Sequence, residues 1–154
     1  MLCRRNLAFP SRDKNQPGQQ LCASRRITIG AADMYISVLV IPVPERNMDL
    51  YHSWAVKSAA IFKKYGCIEI IDGWEDFVPR GKQTDFHRAV AIKEGEKVVV
   101  SLQIWPDKER FYSSEAKMHE DKALEVEGEV PFDASRLIIG CFETIKNMAE
   151  GEKA

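Results

Sequence analysis

No stretch of this 154-residue chain approaches the roughly 20 consecutive apolar residues that a membrane-spanning helix needs, so no membrane partner is expected. Cysteine is scarce: Cys3 and Cys22 stand near the start, Cys67 and Cys141 in strand-like runs far apart, and no two share a paired spacing. That usage fits a reducing compartment, with the cytoplasm as the expected location and buried free thiols preferred over a redox pair. Histidine is scarcer still, and His52, His87 and His119 are too distant for a local metal motif. There is no His-Glu-x-x-His, calcium loop, phosphate-cradling glycine loop or nucleophile elbow, so neither cofactor nor metal is expected. A basic surplus is lacking too. Residues 1–33 hold six basic and two acidic side chains, whereas residues 34–154 hold 16 basic and 21 acidic ones. The later part has no footprint for neutralising phosphates, and a nucleic-acid partner is discounted.

What is present suits one folded unit, since the length is that of a single domain and the 45% apolar share is ordinary for a globular protein. Residues 1–33 are interrupted by Pro10, Pro17-Gly18 and Gly30 and have no helical apolar face. They are expected to be a disordered leader, or to follow from a start assigned upstream of Met34. The domain is expected over residues 34–147, with a charged tail over residues 148–154.

Within that domain, Tyr35 to Val43 is apolar on both alternating sets, the pattern of a strand buried on both faces. Asn47 then offers a cap to a helix whose stripe of Tyr51, Trp54, Ala55, Ser58, Ala59 and Phe62 recurs at three and four, with Gly66 as its stop. A second strand is expected from Cys67 to Trp74, followed by a turn at Pro79-Arg80-Gly81. Two further strands, Phe86 to Ile92 and Lys97 to Trp105, flank Glu94-Gly95 as a hairpin. Asp107 caps a second helix to about Ala123, with either Phe111, Ser114 and Met118 or Tyr112, Ala116, His119 and Ala123 facing inward. After an acidic connector from Glu125 to Glu129, Leu137 to Phe142 supplies the last strand. The order is that of an α+β, ferredoxin-like antiparallel sheet with two helices on one face and an extra β-hairpin strand.

Two helices cover one face of such a sheet, and nothing left in the chain covers the other. Each valine or isoleucine left in water forfeits roughly 1.5 to 3 kcal/mol. A second copy packed sheet to sheet resolves this, giving a homodimer in the form of a dimeric α/β barrel with a pocket between the sheets. Val98, Val100, Leu102 and Ile104 form a uniformly apolar set and are expected to meet the helices. Ser101, Gln103 and Trp105 are then expected to point into the enclosed space, as candidate ligand contacts or as mutually satisfied interface groups.

The chain from Tyr35 to about Ile145 resembles the YbaA-like family, a bacterial domain of unknown function in the dimeric α+β barrel superfamily. The resemblance rests on spaced identities including Tyr35, Val43-Pro44, Tyr51, Lys57, Phe62-Lys63, Gly66, Trp74, Val78-Pro79, Gly81-Lys82 and Thr84-Asp85-Phe86. It continues through Ala89-Val90, Glu96, Val98-Val99, Ser101, Pro106, Lys108, Lys117-Met118, Pro131-Phe132-Asp133, Arg136, Gly140 and Phe142-Glu143. It implies the ferredoxin-like fold and the paired-sheet dimer, and no activity. The chain departs from the pattern at Phe111-Tyr112, where an Arg-Asp pair is usual, and at Ala134-Ser135, Leu102 and Lys122, which replace Gly-Lys, Trp and Pro. If the Arg-Asp pair forms a ligand contact in the family, that contact is lost here.

Asp72, Trp74 and Asp85 flank the turn after the second strand, where a carboxylate beside an indole can serve as a base raised by desolvation. The plainer alternative is that Trp74 fills the core and Asp85 caps the turn. Lys57, Lys117 and Arg136 are candidates for holding a carboxylate, or are simply paired. The candidate ligand-binding set is therefore Asp72, Trp74, Asp85, Ser101, Gln103 and Trp105. The expected function is a small homodimer binding a small molecule between its sheets. The alternative is a cofactor-light oxygenase or isomerase, acting through Asp72, Asp85 or a histidine and resting on fold analogy alone.

Overall fold

A run of β-branched and apolar residues free of glycine makes β1, Tyr35–Pro44, the first element of the computed structural model, which describes residues 34–123 and 128–145. Residues 1–33, most of the acidic connector and the charged tail lie outside the described residues. Helix α1, Met48–Lys64, follows a single 3-10 turn. Asn47 stands at its cap position, but its side chain accepts no bond from the helix N–H groups, and its amide nitrogen donates to Pro131 O at 2.9 Å. The helix ends at Gly66, whose φ of +107° is the left-handed conformation that glycine adopts without a Cβ penalty.

β2, Glu69–Trp74, is followed by a long irregular segment holding the one-turn helix α2, Phe86–Ala89, and then by β3, Glu96–Trp105. Helix α3, Lys108–Glu120, is capped by Asp107, whose carboxylate accepts from Arg110 N at 2.6 Å. β4, Ile138–Glu143, closes the described chain. Among the described residues the strands form one open antiparallel sheet in the order β2-β3-β1-β4, which is the ferredoxin-like topology. No described helix is long and apolar enough to cross a membrane.

The expected hairpin strand from Phe86 to Ile92 is corrected to α2 and a turn. Asp85 Oδ1 accepts from Arg88 N at 2.8 Å, and backbone bonds run from Ala89 N to Asp85 O and from Val90 N to Phe86 O. A side chain that satisfies the first free N–H groups favours a helical turn over a ladder. Ala91, at φ +47°, then redirects the chain.

Side-chain facing along β3 is also the reverse of the expectation. Val99, Ser101, Gln103 and Trp105 are the buried set, and they lie beneath the helices with Tyr35, Leu39, Ile41 and Val43 of β1. Trp105, wholly buried, meets Phe111 of α3 edge-on at 5.4 Å between ring centroids and Phe62 of α1 at 6.3 Å. The inward stripe of α3 is Phe111, Ser114 and Met118. The uniformly apolar set of β3 instead lies on the other face with Ile36, Val38, Ile71, Ile138 and Phe142. There Ile71 and Phe142 are 47% and 55% exposed. Val90 and Ile92 cover only one end of that face, packing on Val40, Val98 and Val100. Gly140 lets the Phe142 ring fold back over the sheet, since a Cβ there would stand 2.9 Å from the ring.

Arg136 ties three segments together. Its guanidinium donates to both Glu96 carboxylate oxygens at 2.6 and 2.7 Å, to Asp133 Oδ2 at 2.9 Å and to Ala91 O at 3.0 Å. A planar fork held on four acceptors is a local clamp and is not free to take a ligand carboxylate. Hydrogen bonds from Ser135 and from Arg136 hold Asp133 down at about 2, and Arg136 likewise lowers Glu96. Depressed carboxylates contribute stability that is complete above the ordinary carboxylate range and lost as pH falls through their folded values. Melting temperature is therefore expected to drop steadily between pH 4 and pH 2. Arg136→Met, which strands the mostly buried Glu96, should cost about 3 kcal/mol in urea unfolding. An unchanged midpoint in that variant would remove the clamp from the account.

Candidate functional site

Along the inward face of α1 the large residues Tyr51, Trp54 and Phe62 bracket three small ones, Ala55, Ser58 and Ala59. Below them the sheet presents the small Ser101 and the polar Gln103 of β3, with Leu39 and Ile41 of β1 and Ile139 of β4 alongside. Small side chains on both layers keep the helix and sheet from closing on each other. The hollow left between them offers about 50 Å³ to the centres of water-sized spheres. One water needs roughly 10 to 15 Å³, so the space suits several waters or a comparably small group.

Polar groups inside this pocket are incompletely matched. Gln103 is 3% exposed and Ser58 7% exposed, yet among the described residues neither Gln103 Oε1 nor Ser58 Oγ has a hydrogen-bond partner. A buried polar atom without a partner costs roughly 1 to 3 kcal/mol. Two such atoms in one apolar hollow are the mark of a place where something else supplies the bonds. At the rim stands Asp72 of β2, exposed, with Tyr51 Oη donating to its Oδ2 at 3.5 Å. Burial, followed by the Asp72 charge and this bond, raises the Tyr51 phenol, which therefore stays protonated and acts as a donor.

Of the six residues singled out from the sequence, Asp72, Ser101 and Gln103 come together in this pocket. The other three stand elsewhere. Trp74 packs against the core cluster that includes Ile41, Val43 and Val99 and does not line the hollow. Trp105 lies under Phe62 and Phe111 and does not line the hollow. Asp85 lines a separate surface depression with Arg80 and His87, and its carboxylate is committed to α2. The backbone bond from Arg88 N is what holds Asp85 below the usual range. Because Ser101 and Gln103 face the helices, the pocket lies inside the protomer, not between sheets as expected.

His87 Nε2 is 2.8 Å from Glu75 Oε1, and Glu75 Oε2 also accepts from Val98 N at 2.8 Å. That pair pins the long segment to the sheet edge. Among the described residues no three His, Cys, Asp or Glu side chains gather as a metal set. Cys67 is a buried free thiol donating to Glu69 O and Ile104 O, and burial pushes it up to about 11. Phe111, which stands where the family pattern has Arg, is core and outside the pocket. Tyr51 and Ser58 were assigned from the sequence only to the helix stripe. The cue to their role is the clustering of small residues where a core-facing stripe is normally filled.

Fold and pocket together define a ferredoxin-like α+β domain with a small cavity between its first helix and its sheet. The family model for proteins of unknown function named DUF1428 matches residues 34–134, and the chain belongs to that family. It is 40% identical over 112 residues to the uncharacterized protein YbaA of Escherichia coli K12, covering 72% of this chain and 96% of that one. YbaA of Shigella flexneri matches with the same identity and coverage. Among solved structures, a dimeric ferredoxin-like protein from an uncultured marine organism aligns over 75% of this chain and 99% of that chain. Its sequence identity is 10% and the TM-score is 0.49.

If Gln103 Oε1 is an uncompensated acceptor in the free protein, removing it should stabilise the fold. Gln103→Leu is expected to raise unfolding stability by roughly 1 kcal/mol, a shift of a few degrees in Tm. A lower Tm would show that the amide oxygen has a partner in the free protein.

Proposed function

We propose that the protein is a homodimer in which each protomer binds one small, mainly apolar molecule between α1 and the sheet. The carrying observation is the pair of partnerless buried groups, Gln103 Oε1 and Ser58 Oγ, at the floor and roof of a hollow lined mainly by apolar side chains. A site kept only for packing would lose these polar atoms to hydrophobes at no cost. The ligand is expected to be small, with an apolar part in the hollow and a polar arm at the rim position of Asp72.

Assembly rests on a different part of the molecule. Ile36, Val38, Leu102, Ile104, Ile71, Ile138 and Phe142 make one apolar sheet face that no described helix covers. A contiguous apolar face of that kind is the signature of an interface, and a two-fold copy offers a self-complementary surface. Location in the cytoplasm is supported by the free thiols Cys67 and Cys141.

Both parts are open to measurement. Light scattering should give twice the 17.5 kDa chain mass, and Leu102→Glu should shift the protein towards the monomer. A monomer at millimolar concentration would defeat the assembly. Independently, a panel of single-ring compounds should raise the Tm of the wild type. Ala55→Leu, which fills the hollow, should abolish that gain while leaving the protein folded. A panel without a stabilising compound would count against the pocket.

A further inference from the structure

The walls of the α1–sheet pocket carry charge of only one sign. Asp72 is the single ionised side chain among its lining residues, and no lysine, arginine or histidine contributes to it. The atom of Gln103 left without a partner is its amide oxygen, an acceptor. Ser58 serves either role. Tyr51, Trp54 and Phe62 add three aromatic rings, with Tyr51 and Trp54 inclined at 37° and 6.0 Å between centroids.

We infer that this pocket selects an amine: a small, mainly apolar molecule whose ammonium group sits at the Asp72 rim and whose N–H groups meet the unpaired acceptors. The inference rests on the proposal that the hollow is a ligand site, and it adds the class of ligand. A carboxylate or phosphate compound of the same shape would bring a second negative charge against Asp72, with no cation in the lining to compensate. An ammonium is instead attracted by the carboxylate and by the electron-rich faces of the aromatic rings. The domain as a whole supports the same sign, since residues 34–154 carry 16 basic and 21 acidic side chains.

Three near-isosteric probes separate the possibilities: 2-phenylethylamine, 2-phenylethanol and phenylacetate, titrated calorimetrically into the full chain at pH 7. The amine is expected to bind roughly tenfold more tightly than the alcohol, and the acid more weakly than either. Asp72 is exposed, so its substitution should not unfold the domain. Asp72→Asn should erase the amine's advantage over the alcohol, and Asp72→Lys should turn the preference towards phenylacetate. If the alcohol or the acid binds the wild type as well as the amine does, the amine selectivity is overturned while the pocket itself stands. If none of the three binds, the pocket and the inference built on it fall together.

Discussion

The ten-residue ladder between β1 and β3, running from Tyr35 opposite Trp105 to Pro44 opposite Glu96, is the constraint from which the rest of this molecule follows. Pairing in a strict two-residue period fixes at once which side chains share a face. With Tyr35 and Trp105 locked under Phe62 and Phe111, every second residue back along β3 must also face the helices, and that row contains Gln103, Ser101 and Val99. A slip of one residue would carry a tryptophan into solvent and a row of valine and leucine under the helices. The aromatic cluster at one end of the ladder therefore aims the polar pocket residues two and four positions away.

Much of this architecture is legible in residue order. The strand and helix succession, the glycine stop at Gly66 and the cap at Asp107 are read from local chemistry that the tertiary structure leaves in place. Facing is different. A uniformly apolar row such as Val98, Val100, Leu102 and Ile104 says that it needs cover, but it does not say whether helices or another sheet provide it. The deciding residues are Trp105 and Phe111, whose meeting is a long-range fact that no local period contains. The segment from Phe86 to Ile92 differs from its sequence pattern for a related reason. Its alternating hydrophobes suggest a strand, while Asp85 satisfies the N–H of Arg88 three residues on, and in a segment this short one capping bond outweighs a two-residue pattern.

Half of the candidate site was visible for the same reason that the facing was not. Ser101 and Gln103 stand out as polar residues in an oily strand, and Asp72 as a charge between Ile71 and Trp74, so residue type alone flags them. Their partners on α1 do not stand out, because Tyr51, Ala55, Ser58 and Ala59 look like ordinary members of a core stripe. What distinguishes them is missing volume: alanine and serine facing serine and glutamine leave a gap that larger side chains would fill. Trp74, Trp105 and Asp85 have equally conspicuous residue types but spend them on packing and on capping.

The two faces of the sheet divide the work. Dimer formation through the open apolar face would supply the burial that two helices cannot, and it asks nothing of the pocket residues, which lie on the opposite side. Freed from that demand, the helix-covered side can tolerate Ser37 Oγ, Ser58 Oγ, Gln103 Oε1 and Trp105 Nε1 without partners among the described residues, at roughly 1 to 3 kcal/mol each, a cost a small monomer would struggle to carry against a typical total of 5 to 15 kcal/mol. Stability drawn from one side of the sheet thus permits a polar, underfilled cavity on the other. On this view a ligand that donates hydrogen bonds to Gln103 and Ser58 restores part of what the free protein gives up. Its binding would be coupled to the stability of the fold.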